Sequence, residues 1–161
     1  MVRAFLLLGS NLGNRKNILR KGLKSIIDRI GPAFKSSSVY QTAPWGKTDQ
    51  GAFLNQVVEL ATTLTPAQLL KIIQSIEEEA GRTRSEQWGP RTLDIDILFY
   101  GNQIIRESDL IIPHPGIESR KFTLVPMNEI APNLKHPVSG KTVKELLEEC
   151  RDDSEILNVE F

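Results

Sequence analysis

The stretch Trp88-Gly-Pro-Arg-Thr-Leu-Asp-Ile-Asp-Ile-Leu-Phe-Tyr100 joins a rigid turn to a run of strand-forming residues. Successive side chains of a β-strand point to opposite faces, so this pattern predicts one unbroken apolar face. That face comprises Leu93, Ile95, Ile97 and Phe99. Asp94 and Asp96 then share the other face, with their side-chain stems about 6.6 Å apart at the usual rise per residue. Two acids at that spacing can hold one cation or a pair of cations.

Aspartate is uncommon in strands, so the pair Asp94 and Asp96 calls for an explanation. The acids either lie on a solvated outer face with Arg91 as a loose partner, or they form a metal site. Further along, Leu98 and Tyr100 continue the acidic face as apolar residues, which favours a local site at its beginning. Carboxylate oxygens suit Mg²⁺, which commonly bridges to substrate phosphates. The stretch therefore predicts a phosphorylated ligand.

Composition limits the other possibilities. The 161 residues, 40% of them hydrophobic, predict a single domain covering residues 1–161. Lys plus Arg and Asp plus Glu balance at 20 each, which argues against nucleic acid or an anionic membrane as a partner. Cys150 is the only cysteine, the N-terminal apolar run is too short for a signal peptide, and no segment is long enough to span a membrane. We therefore expect a cytoplasmic protein.

The order of elements along the chain predicts the fold. The predicted strands are Val2–Leu8, Phe34–Tyr40, Phe53–Ala61 and the acidic strand described above. A helix after the turn at residues 9–14 separates the first two, and a helix opened by the capping box of Thr65 and Gln68 separates the last two. This β-α-β-β-α-β order predicts a ferredoxin-like α+β fold, with an antiparallel-rich sheet in an α/β/α three-layer arrangement. The fold alone implies no function.

The last third of the chain carries three further signals. Leu110–Pro115 is an apolar run ending in a Pro-His-Pro turn, which makes His114 a better ligand candidate than His136 in its polar loop. Arg120–Pro126 resembles a basic and aromatic entry to another strand. Thr142 and Glu145 form a capping box that predicts a C-terminal packing helix.

Several side chains suggest ligand contacts but also have ordinary structural interpretations. Phe53 and Asn55 share a strand face and could hold a flat heterocycle, although the residues alone favour a core phenylalanine and a strand-end amide. Gln74 and Glu77 share a helix face, which by default predicts a surface pair. The polar segments 41–51 and 81–87 are predicted to be loops that close over the ligands, with Trp45 in the first of them.

Taken together, these motifs resemble the 6-hydroxymethyl-7,8-dihydropterin pyrophosphokinase family, folate-pathway enzymes that move a diphosphate from ATP to a pterin alcohol. The resemblance covers nearly the whole chain. Its motifs are Gly9-Ser-Asn-Leu12, Thr42 with Pro44, Trp88–Asp96, Pro113-His114, and Arg120 with Phe122.

The resemblance implies a role for each matching residue. Asp94 and Asp96 would hold two Mg²⁺ ions that bridge the phosphates of ATP, and Arg82 and Arg91 would stabilise the transferred group. The implied ATP-binding residues are Gln74, Glu77, Arg84, Trp88, Arg91, Ile97, His114 and Arg120. The implied pterin-binding residues are Thr42, Ala43, Pro44, Trp45, Phe53, Asn55, Asp94 and Phe122, with the ring between Phe53 and Phe122. The chain departs from the family pattern at Phe53, Asp109 and Pro115.

Two other functions use the same features. An RNA-recognition module has the same element order, but the chain lacks its aromatic, glycine-rich signature and has no net charge. A metal-dependent phosphodiesterase could use the same acids. The expected partners are ATP and the pterin alcohol, with no nucleic acid, no membrane and a monomeric protein.

Overall fold

The computed structural model describes residues 1–11, 13–42, 52–81 and 92–159. The strands are β1 Val2–Ser10, β2 Ala33–Ser36, β3 Val39–Thr42, β4 Phe53–Thr62, β5 Asp94–Tyr100, β6 Ile105–Arg106, β7 Ile111–Ile112 and β8 Ile156–Val159. The α-helices are α1 Arg15–Arg29, α2 Pro66–Glu79, α3 Lys121–Ile130 and α4 Val143–Glu149, with a short 3-10 helix at Ile117–Ser119. In these ranges, no helix is long and apolar enough to cross a membrane.

The large sheet has the strand order β5-β1-β4-β3-β8, and β2 also pairs with β4. β1 is antiparallel to both of its neighbours, β4 and β5. Because β2 and β3 together take the place of one strand, β1 to β5 have the arrangement of a split βαβ unit. The predicted ferredoxin-like α+β fold is confirmed, and β8 adds a strand to its edge.

Helices cover both faces of the sheet. Alternate residues of β1 divide between them: Leu6 and Leu8 pack with α1 and α2, whereas Phe5 and Leu7 pack with α3 and α4. We name these the α1/α2 face and the α3/α4 face. The predicted α/β/α layering is confirmed, and each face has its own buried apolar core.

A β-bulge changes the predicted face of Phe99. The pairing of β1 with β5 shifts register between Phe5 and Leu6, because Phe5 lies opposite Phe99 while Leu6 lies opposite Ile97. The extra residue, Leu98, displaces the alternation by one. Phe99 therefore joins the α3/α4 core, where it meets Phe5 edge to face at 6.0 Å, and Tyr100 moves to the α1/α2 core. The prediction that Phe99 shares a face with Ile97 was wrong.

The predicted strand Phe34–Tyr40 is two strands. Ser37 separates them: its N–H donates to the carbonyl of Val57, and its Oγ accepts from the N–H of Val57. The side chain thus takes over a hydrogen bond of the ladder. β3 ends at Thr42, so the first two residues of the segment 41–51, predicted to be a loop, belong to a strand.

The predicted strand entry at Arg120–Pro126 is the first part of α3. Pro126 lies inside this helix, and Leu124, Met127 and Ile130 are buried at helical spacing on the α3/α4 face. Proline lacks the N–H for an i to i−4 bond and is therefore unfavourable inside a helix. Burial of the apolar side outweighs that loss here, and Phe122 lies in the first turn of a helix.

The predicted helix starts are confirmed. The Oγ1 of Thr65 accepts from the N–H of Gln68, and the N–H of Thr65 donates to the Gln68 side chain; Thr142 and Glu145 repeat the arrangement at α4. Asn14 caps α1 by accepting from the N–H of Asn17, in agreement with the structural interpretation of the glycine-containing turn.

Candidate active site

The register of three strands aligns the predicted acidic and pterin-binding residues. Gly9 of β1 lies directly opposite Asn55 of β4 on one side and Asp94 of β5 on the other. Residues directly opposite each other in a sheet present their side chains on the same face. Asp96 lies opposite Leu7, which belongs to the α3/α4 core. Asp94, Asp96 and Asn55 are therefore together on the α3/α4 face.

Asn55 and Thr42 form a buried polar pair beside Phe53. Asn55 is 4% exposed, and its Nδ2 donates to the Oγ1 of Thr42 at 3.0 Å. Thr42 lies opposite the half-buried Phe53 in the ladder, so Phe53 is on the same face. The default interpretation of a strand-end amide and a core phenylalanine was wrong, because Asn55 is buried inside the ladder and Phe53 is only partly covered.

Gly9 allows the side chain of Asn55 to lie close to the backbone of β1 at the centre of this row. A Cβ at that position would lie 3.0 Å from the Oδ1 of Asn55 and 3.9 Å from the Phe53 ring. A larger residue would therefore push against the amide. Glycine inside a strand often marks such a close approach, and this is the signal that would have given Gly9 a role from the sequence.

α3 brings an aromatic ring and an arginine to the same face. Phe122, in the first turn, packs against the α3/α4 core, and the guanidinium carbon of Arg120 lies 5.7 Å from its ring centre. A Cβ at Gly116 would lie 2.7 Å from the Nε of Arg120. Gly116 thus lets the arginine side chain cross the turn that follows Pro115, a role that sequence reasoning missed.

His114 connects that turn to the acidic strand. The backbone N–H of His114 donates to the carbonyl of Leu98. Its Nδ1 accepts from the N–H of Gly116, and its Nε2 lies 3.9 Å from Oδ2 of Asp96. Burial and the positive charge of Arg120 lower the pKa of His114 to about 4, against the opposing effect of Asp94. The ring is therefore neutral at pH 7, with its Nε2–H directed to the acidic side.

A cleft of about 280 Å³ runs along the outer side of β5. Ile97 and His114, which the resemblance places at ATP, line it together with the predicted metal ligand Asp96, and Leu70 of α2 adds an apolar wall. Asp109 and Pro115, where the chain departs from the family pattern, also line the cleft.

Glu77 is not the surface residue that its helix pattern predicted by default. It is 3% exposed, and its Oε2 accepts from the N–H of Ile95 at 2.9 Å. Ile95 lies between the two aspartates, so α2 holds the acidic strand at that point. Gln74 lies one turn earlier on α2 and is half-buried.

The acidic pair fits a hard cation that takes most of its ligands from elsewhere. The Asp96 side chain is 32% exposed, and both acids face the same side of the sheet. In the part of the chain that the structure describes, no group of three or more His, Cys, Asp or Glu side chains is arranged to hold a metal ion. Two carboxylates suit Mg²⁺, which keeps water and phosphate oxygens in its coordination shell.

Some predicted site residues lie outside the described residues. They are Ala43, Pro44, Trp45, Arg82, Arg84, Trp88 and Arg91. Their roles stay predictions from the resemblance.

Comparison with known proteins gives consistent matches. Residues 5–132 match the family model described as 7,8-dihydro-6-hydroxymethylpterin-pyrophosphokinase (HPPK). The chain is 41% identical over 145 residues to a 2-amino-4-hydroxy-6-hydroxymethyldihydropteridine pyrophosphokinase of Aquifex aeolicus, covering 90% of each protein. It is 42% identical over 161 residues to the protein of that name from Methylorubrum extorquens, covering 99% of this chain and 100% of the relative.

Solved structures share the fold. A Plasmodium falciparum HPPK-DHPS crystallised with pteroate superposes with a TM-score of 0.75 at 18% identity, over 92% of this chain and 42% of that one. Another HPPK-DHPS, in complex with substrates, superposes with a TM-score of 0.73 at 18% identity, and this chain covers 43% of its length. From the family model and the relatives that match almost end to end, we conclude that this chain belongs to the 7,8-dihydro-6-hydroxymethylpterin-pyrophosphokinase family.

Proposed function

We propose that this chain transfers the terminal diphosphate of ATP to the hydroxymethyl oxygen of 6-hydroxymethyl-7,8-dihydropterin and releases AMP. The observation that carries the proposal is the row Asp94, Gly9 and Asn55 across three strands, with Phe122 of α3 on the same face. In this arrangement the predicted cation ligands lie on the same face of the sheet as the amide of Asn55 and the ring of Phe122. The cleft at Asp96 and His114 adjoins it.

The acidic pair provides the phosphate end of the site. Asp94 and Asp96 would hold two Mg²⁺ ions, which supply charge neutralisation and orientation to the phosphates of ATP. Arg120 adds a positive charge on the same side. Arg82 and Arg91 are assigned to the transferred group, because a guanidinium binds phosphate oxygens in a bidentate way.

The sheet provides the pterin end. The planar ring would lie between Phe53 and Phe122, since aromatic faces in contact contribute ~0.5–1.5 kcal/mol beyond area burial. Asn55 is held by Thr42 and presents Oδ1 to the space beside Gly9, where it can accept from the ring's amide-like edge. The segment from Thr42 to Trp45 would complete this recognition.

Transfer requires alignment and charge stabilisation more than proton abstraction. The hydroxymethyl oxygen attacks the β-phosphorus and loses its proton to solvent, a bond forms between that oxygen and the β-phosphorus, the bond from the β-phosphorus to the bridging oxygen breaks, and AMP leaves with the bridging oxygen. His114 is a poor base here, because its Nδ1 already accepts from Gly116 and its other nitrogen carries the proton. A carboxylate that holds a cation is also a weak base. Positioning therefore carries most of the rate.

The pterin assignment is tested by replacing Phe122 with alanine. We expect Phe122→Ala to weaken binding of the pterin alcohol about tenfold, in line with the loss of a stacking contact, while ATP binding stays close to that of the unmodified protein. Phe34→Ala is the matched control, because Phe34 is 49% exposed on β2. Isothermal calorimetry measures both ligands. Equal losses for both ligands would place Phe122 in the general core instead.

The proposal includes a cytoplasmic monomer acting on small molecules. The balanced charge supports the absence of a polyanionic partner. Light scattering at micromolar concentration should give the mass of one chain, and a mass of two chains would contradict this part of the proposal.

A further inference from the structure

The segment Cys150–Val159, which we name the tail, follows α4 and lies beyond the residues matched by the family model. It passes the beginning of α3 and then adds β8 to the sheet. It therefore contacts two of the elements that carry proposed pterin contacts, α3 and β3, although nothing in the proposed reaction requires it.

At α3 the tail supplies a missing helix cap. The first N–H groups of a helix need acceptors from outside the helix, and Arg120, at the N-cap position, makes no side-chain capping bond. The Oδ2 of Asp152 accepts from the N–H of Lys121 at 3.0 Å. A carboxylate is also favoured at this end of the helix by the helix dipole. The cap lies at the residue before Phe122.

Asp152 is itself held in place. Its Oδ1 accepts from the N–H of Ser154 at 2.9 Å and from the Oγ of Ser154 at 2.5 Å. Partial burial works against the charge, but these bonds and that from Lys121 outweigh it, so the pKa of Asp152 lies below its ordinary 3.8. The carboxylate is thus charged and oriented at neutral pH.

On the sheet, the tail closes the outer edge of β3. Ile156 lies opposite Thr42 and Leu157 opposite Gln41, in antiparallel pairing. The other edge of β3 pairs with β4, where Thr42 lies opposite Phe53. Since Thr42 holds the amide of Asn55, β8 fixes the strand that orients this amide.

From these two attachments we propose that the tail is a positioning element for the pterin: Asp152 fixes the start of α3 and hence Phe122, and β8 fixes β3 and hence Thr42. The inference rests on the proposed function, because Phe122 and Thr42 are among the residues assigned to the pterin. The cleft along β5, which we assign to ATP, is at the opposite end of the strand order from β8. Loosening the tail should therefore affect the two substrates unequally.

The test compares Asp152→Ala with Asp153→Ala. The neighbour Asp153 is exposed, so the control removes the same charge one residue away. We expect Asp152→Ala to raise the KM and the Kd for 6-hydroxymethyl-7,8-dihydropterin about tenfold, the fold-change that corresponds to the loss of a helix cap. The KM for ATP should rise by no more than about twofold, because the capped start of α3 carries only Arg120 of the residues assigned to ATP, whereas Ile97 and His114 line the cleft along β5, remote from the tail. Asp153→Ala should leave both values unchanged, and Asp152→Asn, which keeps acceptor oxygens, should restore part of the pterin affinity.

Three results would count against the tail as a positioning element. These are equal changes for ATP and the pterin, pterin affinity at the wild-type level in Asp152→Ala, and an effect of Asp153→Ala as large as that of Asp152→Ala. If Asp152→Ala does not fold by circular dichroism, Ser154→Ala replaces it, with a several-fold change expected in the same direction. A wild-type protein that fails to bind the pterin would instead contradict the proposed function, and the tail proposal with it.

Discussion

Asp94 and Asp96 are like charges on one face of β5, and like charges held close together repel each other. A cation bound by both carboxylates would offset this repulsion. The arrangement therefore favours binding of a cation at the expense of the stability of the metal-free protein.

Replacing Asp96 with asparagine tests this trade. We expect Asp96→Asn to lower kcat by orders of magnitude, because a charged ligand is lost at constant size, and to leave the melting temperature unchanged or slightly raised in metal-free buffer. Asp28→Asn is the control, since Asp28 is an exposed acid paired with Lys24 on α1. If Asp96→Asn turned over at the wild-type rate at saturating Mg²⁺, the assignment of Asp96 as a metal ligand would be wrong.

His136 gives a pH-dependent contribution to stability away from the site. It is 7% exposed, contacts the ring of Phe99 edge to face, and its Nδ1 accepts from the N–H groups of Val138 and Ser139. Burial lowers its pKa from 6.5, against the opposing charge of Glu118. The unfolded chain therefore takes up this proton at a higher pH than the folded chain does. The contribution of His136 to the free energy of unfolding is complete above about pH 6.5 and decreases as the pH falls below that value.

The measurement is urea unfolding of the wild type and His136→Asn at pH 7.5 and pH 5.5. Asparagine keeps an acceptor near the position of Nδ1 but does not titrate in this range. We expect the wild type to lose more stability between the two pH values than the variant does; His114 remains in both proteins, so its own titration cancels. Identical losses would show that His136 is protonated equally in the folded and unfolded chains.

Among the elements, α2 and β5 illustrate what the sequence could and could not predict. Alternation correctly assigned Leu93, Ile95 and Ile97 to one face, because a half-buried strand separates apolar and polar residues. It failed at Phe99, since a bulge leaves no mark in the hydrophobic pattern when the residues after it are apolar on both faces. Glu77 was missed for a related reason: a helix pattern does not show that a backbone N–H of a neighbouring strand needs an acceptor.

The link between α2 and β5 should matter for stability. Glu77→Ala leaves the buried N–H of Ile95 without its carboxylate acceptor, which costs ~1–3 kcal/mol of unfolding free energy. Glu77→Gln keeps an acceptor oxygen and should lose less than half as much. The control is Glu78→Ala on the exposed side of the same helix. Denaturant unfolding decides, and a loss in Glu78→Ala equal to that in Glu77→Ala would mean that only helix propensity had changed.

At the scale of the whole molecule, the fold was predictable because local and distant signals agree. Capping boxes located α2 and α4, and the order of periodic segments gave the split βαβ arrangement. α3 was misassigned because Pro126 obscured its helical period. The site was harder, because its residues come from four elements: only strand register shows that Gly9 joins Asn55 to Asp94, and register was not readable from one sequence. The resemblance to the family supplied what periodicity could not.

The two sides of the sheet then have different tasks. The α1/α2 face is an apolar core, whereas the α3/α4 face combines a second core with Asp94, Asp96, Asn55 and the start of α3. Both substrates would meet at the β5 edge of the sheet, where the cleft assigned to ATP adjoins the α3/α4 face. The tail contacts the start of α3 on this face and pairs with the edge of β3 in the sheet.

The most direct test follows the phosphate. The protein is incubated with γ-labelled ATP, Mg²⁺ and 6-hydroxymethyl-7,8-dihydropterin, and the products are separated by chromatography, with AMP followed by its ultraviolet absorbance and the pterin product by the label. We predict AMP and a labelled pterin diphosphate in equal amounts, no AMP when the pterin is omitted, and neither product with Asp96→Asn. AMP formed at the same rate without the pterin would indicate a phosphodiesterase, and ADP with the label on a single transferred phosphate would contradict diphosphate transfer.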